Sequence, residues 1–205
     1  MTTIKVTNKT IKMQDLQEMI DRTIKQVWMN QIKGDYQKYF LLKEDTLKNA
    51  LYFHIRNQLT DTLLEENNIR IFTEFYYKDS IADIVIVQLN ENPGNKEHLK
   101  DDVEAVLAVI EIKYKGAGNE KPFEDDVKKI KRYISTQPND QTQYYLAFIH
   151  EIEYENIEGD SWLTESQKKW AKGKLTELSA HYVDGKDELK WQVLSHNNMN
   201  SEVLA

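Results

Sequence analysis

Apolar residues recur along the first third of the chain at the spacing of amphipathic helices. Over residues 13–31, and again over residues 45–66, they return every three or four positions. Lys33-Gly34-Asp35 predicts the end of the first helix, and Asn67-Asn68 predicts the end of the second. We therefore expect two long helices before the first strand.

The next part of the chain has the composition of strands. Residues 69–77 are rich in β-branched and aromatic side chains, and residues 80–89 and 107–116 contain nearly uninterrupted apolar runs. Lys78-Asp79 predicts a tight hairpin between the first two strands. The polar segment 90–104 predicts a long loop before the third strand, which would make the three strands an antiparallel meander.

A second alternation of helix and strand follows. Residues 122–136 have the spacing of an amphipathic helix, and residues 143–149 that of a buried strand. Residues 164–178 predict another helix, while 181–183 and 189–194 predict strands flanking a hairpin turn. We expect one α/β domain over residues 1–205, with a mixed central sheet flanked by helices. It would consist of an N-terminal helical extension (1–44), an αβββαβ core (45–149) and a C-terminal helix and hairpin (150–205).

Charged residues interrupt the apolar strands in a few places. Glu111 and Lys113 lie two residues apart at the end of the third strand, so their side chains project to the same side. Asp83 lies near the start of the second strand, and Glu74 lies in the first. Burying such charges costs free energy unless they are paired or bind a ligand. A salt bridge between Glu111 and Lys113 on an exposed sheet face is the structural alternative.

This arrangement resembles the PD-(D/E)XK nuclease superfamily, whose members have the restriction-endonuclease-like fold. The family has an acid on one strand and (D/E)-x-K on the next. Asp83 matches the first acid, and Glu111-Ile112-Lys113 matches the (D/E)-x-K. The proline of the family pattern is replaced by Ala82.

The resemblance implies a metal-dependent nuclease and assigns roles to these residues. Asp83, Glu111 and the backbone carbonyl of Ile112 would bind Mg²⁺ or Mn²⁺, which favour oxygen ligands. Lys113 would position or deprotonate the attacking water, or stabilise the charged phosphate. Glu74 would be a secondary acid at the same site. A lysine that acts as a base needs a lowered pKa, and a nearby metal ion would lower it.

Basic residues near the predicted site are candidates for contacts with nucleic-acid phosphates. Lys115 leaves the third strand on the same face as Lys113. The following helix has a basic side made of Lys128, Lys129, Lys131 and Arg132. The solvated face of an ordinary amphipathic helix would have the same composition.

Composition narrows the classes of function. The 205 residues include no cysteine, which excludes disulfides, thiolate zinc sites and cysteine nucleophiles. The net charge of −7 argues against a protein that coats DNA nonspecifically. No apolar run reaches the roughly 20 residues that cross a bilayer, and the N-terminus lacks the pattern of a signal peptide, so we expect a cytoplasmic protein without a membrane partner.

Two functions remain open at this point. The first is a nuclease for DNA, with RNA not excluded, in restriction, phage defence or repair. Many members of the family form homodimers, so a homodimer is a possible state of this chain. The second is a non-catalytic binding or regulatory protein on the same fold, whose acidic surface would suit a protein partner or mimic DNA.

Overall fold

The computed structural model describes residues 12–94, 96–116, 120–137, 140–154, 161–171, 173–183 and 187–197. The helices in these ranges are α1 Met13–Gln26, α2 Lys33–Gln37, α3 Glu44–Leu59, α4 Asp61–Glu66, α5 Lys121–Thr136 and α6 Glu165–Trp170. A π-helical segment, Val27–Ile32, joins α1 to α2, and a 3₁₀ helix, Leu99–Asp102, precedes the third strand. None of the helices in the described ranges is long and apolar enough to cross a membrane.

The strands form one six-stranded mixed sheet whose spatial order follows the chain. They are β1 Ile69–Tyr77, β2 Ser80–Leu89, β3 Val103–Lys115, β4 Gln143–Tyr154, β5 Lys174–Val183 and β6 Leu189–Asn197. The first three are antiparallel, β3, β4 and β5 run parallel to one another, and β6 returns antiparallel to β5. The protein is therefore an α/β protein with a mixed sheet flanked by helices.

Each face of the sheet packs against its own helical layer. Ile84, Ile110 and Ile112 belong to an apolar cluster with residues of α1 and α3. Val85, Val109 and other residues of the opposite face belong to a second cluster with α5. Because both faces are covered, the central strands have continuous apolar runs rather than alternating ones.

A buried polar contact joins the first helical layer to the sheet. The Lys25 ammonium donates to Asp21 Oδ2 at 2.6 Å, and the Tyr145 hydroxyl of β4 donates to Asp21 Oδ1 at 2.8 Å. Asp21 and Lys25 are fully buried. Both carboxylate oxygens of Asp21 thus have donors, as a buried charge requires.

Most predicted elements are confirmed, with three changes among the helices. The bounds predicted for β1 and β2 are those observed, and the order αβββαβ is present from α3 to β4. The helix predicted over 45–66 is divided into α3 and α4 at Thr60. The φ of Thr60 is 63°, which is not a helical conformation. The predicted stop after the first helix is wrong, because Gly34 lies inside α2.

The helix predicted over residues 164–178 is wrong in its second half. Helix α6 ends at Trp170, Gly173 has a φ of 68°, and β5 begins at Lys174. The apolar residues Leu175 and Leu178 that suggested a helical face are fully buried in a strand parallel to β4. Long-range strand pairing overrides the local helical spacing here.

Candidate active site

The three residues of the predicted motif lie close together on the sheet face that α5 covers. Ile84 pairs with Ile110 in the antiparallel β2–β3 ladder, so Asp83 lies opposite Glu111. Asp83 Oδ2 accepts a hydrogen bond of 2.7 Å from the backbone N–H of Ile112. This bond fixes the Asp83 carboxylate beside the strand that carries Glu111 and Lys113.

Glu111 is held by a lysine of α5. Its side chain is fully buried, and Glu111 Oε2 accepts a hydrogen bond of 2.6 Å from the Lys129 ammonium. Lys129 also donates to the backbone carbonyl of Ile81 at 2.5 Å. The residue that we predicted as a phosphate contact therefore points inward in this structure and neutralises a predicted metal ligand.

Lys113 forms ion pairs with acids from two helices. Its ammonium lies 3.0 Å from Glu44 Oε2, in the first turn of α3, and 3.5 Å from Asp126 Oδ2 of α5. Helix α3 begins at Glu44, directly after an irregular segment, and this places the carboxylate at the end of the sheet. The alternative salt bridge between Glu111 and Lys113 themselves is absent from the described ion pairs.

These contacts define a carboxylate–lysine cluster made of Glu44, Asp83, Glu111, Lys113, Asp126 and Lys129. Burial is the main cause that raises the pKa of Glu111 to about 8 and that of Asp126 to about 6, although nearby lysines oppose both shifts. Burial also raises the pKa of Asp83, and the Ile112 N–H partly offsets it. Four carboxyl groups share two ammonium groups, so the cluster has an excess of acid.

The electrostatics of Lys113 differ from the sequence-based expectation for a base. Burial lowers the pKa of Lys113, but Asp126, Glu44 and Asp83 together outweigh burial and raise it above the ordinary value. Beside these carboxylates Lys113 is therefore a cation at neutral pH. It suits charge stabilisation better than proton abstraction.

Glu74 lies at an irregular point of β1. The pairs Thr73–Ile84 and Phe75–Ala82 flank it, so Glu74 is level with Asp83 on the neighbouring strand. Its φ of 53° is rare for a residue with a side chain and costs conformational energy. The Glu74 carboxylate is half exposed and pairs with Lys48 of α3, not with the cluster.

The remaining basic candidates face outward. Lys128 pairs with Glu124 and Asp125 on the exposed side of α5, and Lys131 and Arg132 are exposed on the same helix. Lys115 is half-buried at the end of β3 and pairs in register with His150 of β4.

The donor atoms in this cluster are of the kind that binds a divalent cation, but their present spacing does not form a metal site. Glu111 Oε1 is buried without a hydrogen-bond partner in the described residues, and carboxylate oxygens are the ligands that Mg²⁺ prefers. Within the described residues, however, no three His, Asp or Glu side chains are grouped so as to hold a metal ion. Lys129 occupies Glu111 Oε2 and would compete with a metal ion for it.

Sequence reasoning missed Glu44 and Asp126 and did not predict the ion pair between Lys129 and Glu111. These residues come from helices before and after the meander, and only the packing of α3 and α5 brings them to the strand ends. For α5, the sequence did indicate that these two residues act together. Asp126 and Lys129 are three residues apart and therefore lie on the same face of the helix.

Comparisons with known proteins do not identify a family. No protein-family model matches the chain, and no curated protein matches it significantly.

Proposed function

We propose that this protein is a metal-dependent nuclease that hydrolyses DNA phosphodiester bonds on a restriction-endonuclease-like fold of the PD-(D/E)XK type. The observation that carries the proposal is the convergence of Asp83, Glu111 and Lys113 at neighbouring strand ends. The order αβββαβ of the elements from α3 to β4 supports it. So does Glu111 Oε1, which is buried and has no hydrogen-bond partner among the described residues, because a metal ion is a natural partner for such an oxygen.

Asp83, Glu111 and the backbone carbonyl of Ile112 are the groups that would hold Mg²⁺ or Mn²⁺. Such an ion, when bound, neutralises charge on the phosphate and activates water. The Ile112 N–H orients Asp83, and Lys129 orients Glu111. Lys113, kept protonated by Glu44 and Asp126, stabilises negative charge on the phosphate.

The exposed basic residues would contact the substrate backbone. Lys131 and Arg132 face outward on the helix that covers the cluster, and Lys115 extends from the catalytic strand. Lys128 would have to exchange Glu124 and Asp125 for a phosphate. RNA has the same phosphodiester linkage and is a second substrate to assay, and a homodimer would allow both strands of a duplex to be cut.

The direct test is cleavage of supercoiled plasmid, linear duplex, single-stranded DNA and RNA with Mg²⁺ or Mn²⁺, beside an EDTA control. We expect wild-type protein to cut at least one DNA substrate and Lys113→Ala to lose at least about 100-fold in rate. Lys100→Ala is the matched control, because Lys100 is exposed beyond the opposite end of β3. Cleavage that survives in EDTA or in Lys113→Ala contradicts the proposal.

A non-catalytic binding protein on the same fold is the second candidate. It is favoured by the ion pairs within the cluster, where Lys129 neutralises Glu111 and Lys113 contacts Glu44 and Asp126. Such pairing can stabilise a fold without any bound ion. Failure of purified wild-type protein to bind Mn²⁺ or to cut any substrate would favour this candidate.

A further inference from the structure

A cavity lies on the opposite face of the sheet from the carboxylate–lysine cluster. Its volume is about 460 Å³. Tyr114, Glu151 and Tyr182 line it from the carboxyl ends of the parallel strands β3, β4 and β5. The segments 36–42 and 187–191 supply the rest of the wall. The carboxyl ends of parallel strands are a common place for ligands in open α/β sheets.

Aromatic rings form much of the wall of this cavity. Tyr36 and Trp191 pack edge to face with ring centroids 5.7 Å apart, and Tyr114 and Tyr182 face the same space. Tyr39 stands at the lip with 86% of its surface exposed and a φ of 61°. An aromatic side chain kept exposed on a strained backbone is unusual, and such strain is concentrated at functional sites.

The charged groups that line the cavity are acidic. Glu151 Oε1 accepts hydrogen bonds from the hydroxyls of Tyr36 at 2.7 Å and Tyr114 at 2.9 Å. Asp187 and Glu188 lie at the exposed rim. Across the described part of the chain, none of these three carboxylates forms an ion pair, and the cavity lining includes no Lys or Arg. The Tyr hydroxyls orient Glu151 without neutralising it.

We propose that this cavity binds an organic cation of the polyamine class. Aromatic faces attract alkylammonium groups through their quadrupole and pack against the methylene chain. Glu151, Asp187 and Glu188, which form no ion pair within the described residues, match a ligand that carries more than one charge. A phosphate or a nucleotide would be repelled by the same carboxylates, and an uncharged apolar ligand would leave them without partners. The inference does not depend on the nuclease, because the cavity and the cluster lie on opposite faces of the sheet.

Isothermal titration of the full chain with spermidine tests the proposal, with a neutral polyol of similar length and Mg²⁺ as comparison ligands. We expect saturable binding of one spermidine per chain, no binding of the polyol, and no displacement of spermidine by Mg²⁺ at equal concentration. Glu151→Gln should weaken binding about tenfold, and Glu188→Gln, on the exposed rim, about threefold.

Two control variants test whether spermidine binding is specific to this cavity. Glu165→Gln removes the same charge from exposed helix α6 and should leave the affinity unchanged. Lys113→Ala should also leave it unchanged, whether or not the protein proves to be a nuclease. The absence of spermidine binding, equal displacement by Mg²⁺, or equal weakening by Glu165→Gln and Glu188→Gln would overturn the proposal.

Discussion

Glu111 illustrates at the scale of one residue how a functional group can oppose folding. Its carboxyl group is fully buried, one oxygen has no partner in the described residues, and burial raises its pKa to about 8. A buried acid in this state costs folding free energy that a well-packed neutral residue would not. Retention of such a group is expected where it binds an ion or takes part in chemistry.

The Glu111→Gln variant should therefore gain stability and lose activity. Glutamine keeps an acceptor for Lys129 and cannot ionise, so it avoids the free energy that the unfolded chain gains when Glu111 loses its proton, and we expect the free energy of unfolding in EDTA to rise by about 1 kcal/mol. Cleavage should fall at least about 100-fold, because the amide is a poor metal ligand. Urea unfolding and the plasmid assay measure the two effects. Glu165→Gln is the surface control, and a Glu111→Gln protein that cuts like wild type would contradict the assignment.

His150 should make stability fall at acidic pH. Its side chain is buried among aromatic rings, including Phe123 and Trp162. Burial, with smaller contributions from His181 and Lys115, lowers its pKa from 6.5 to about 4. The unfolded chain then binds the proton more tightly, so stability is present above pH 6.5 and is lost as pH falls from 6.5 to 4.

The free energy of unfolding should fall by roughly 3 kcal/mol between pH 6.5 and 4 because of His150, since one pKa unit corresponds to about 1.4 kcal/mol. Urea unfolding between pH 4 and 7 measures it. His150→Phe should flatten this pH dependence, whereas His98→Gln, at an exposed position, should not change it. An unchanged slope in His150→Phe would show that other groups cause the acid loss.

The sequence predicts the residues of the strand motif better than it predicts the helix residues that form ion pairs with them. Asp83, Glu111 and Lys113 could be chosen because each interrupts or ends an apolar strand, where a charge needs a partner. Glu44 and Asp126 lie on polar helix faces, where acids are common, and nothing local separates them from solvated neighbours. The inward position of Lys129 depends on how α5 crosses β3, which the sequence does not determine by itself.

At the scale of elements, the break between α3 and α4 is a point of backbone strain. Thr60 has φ 63° and ψ 146°, a conformation that favours glycine, and its side chain caps α4 by accepting from Leu63 N–H. The capping distance of 3.4 Å indicates a weak bond. Relief of strain should exceed the loss of this bond, because a β-branched residue is especially unfavourable at positive φ.

We expect Thr60→Gly to raise the free energy of unfolding by about 1 kcal/mol. Thr62→Gly is the matched control, since Thr62 lies within α4 and the same change should lower stability by roughly 0.4 kcal/mol. Chemical denaturation of both variants provides the comparison. Equal destabilisation by the two glycines would contradict the strain at Thr60.

The attachment of α1 to the sheet depends on a buried charge pair. Asp21→Asn should destabilise the protein by about 3–5 kcal/mol, because it removes the negative charge that pairs with the buried Lys25 ammonium. The double variant Asp21→Leu with Lys25→Met removes both charges and should restore most of that loss. Thermal unfolding of the single and double variants measures the difference. A double variant as unstable as Asp21→Asn would show that the hydrogen bond to Tyr145 matters more than the charges.

Element prediction succeeds where pattern and packing agree. The bounds of β1 and β2 follow from β-branched residues and the Lys78-Asp79 turn, because hairpins are local structures. Residues 174–178 misled the prediction, since Leu175 and Leu178 have helical spacing while strand pairing with β4 decides their conformation. Parallel pairing joins segments about 30 residues apart and leaves no local signal.

At the scale of the whole molecule, the net charge of −7 conflicts with binding to a polyanion. Three acids line the cavity on one face of the sheet, while Lys131 and Arg132 are exposed on the helix that covers the other. Separation of charge between faces allows an acidic protein to bind nucleic acid through one surface. The proposed polyamine site and the basic surface of α5 proposed to contact DNA therefore require opposite local potentials, and the sheet keeps them apart.

This separation makes DNA affinity depend on a few residues of α5. Each lysine that contacts a phosphate contributes about 0.9 to the slope of log affinity against log salt. Lys131→Ala should weaken binding at all sequences and reduce that slope by about one, because Lys131 is exposed beside the cluster helix. Lys100→Ala removes the same charge beyond the far end of β3 and should change the slope little.

Fluorescence anisotropy with a labelled duplex measures both slopes between about 50 and 200 mM salt, where contacts with phosphates dominate the salt dependence. Ca²⁺ or EDTA prevents cleavage during the measurement. Equal slopes for the two variants would mean that net charge, not the α5 surface, governs binding.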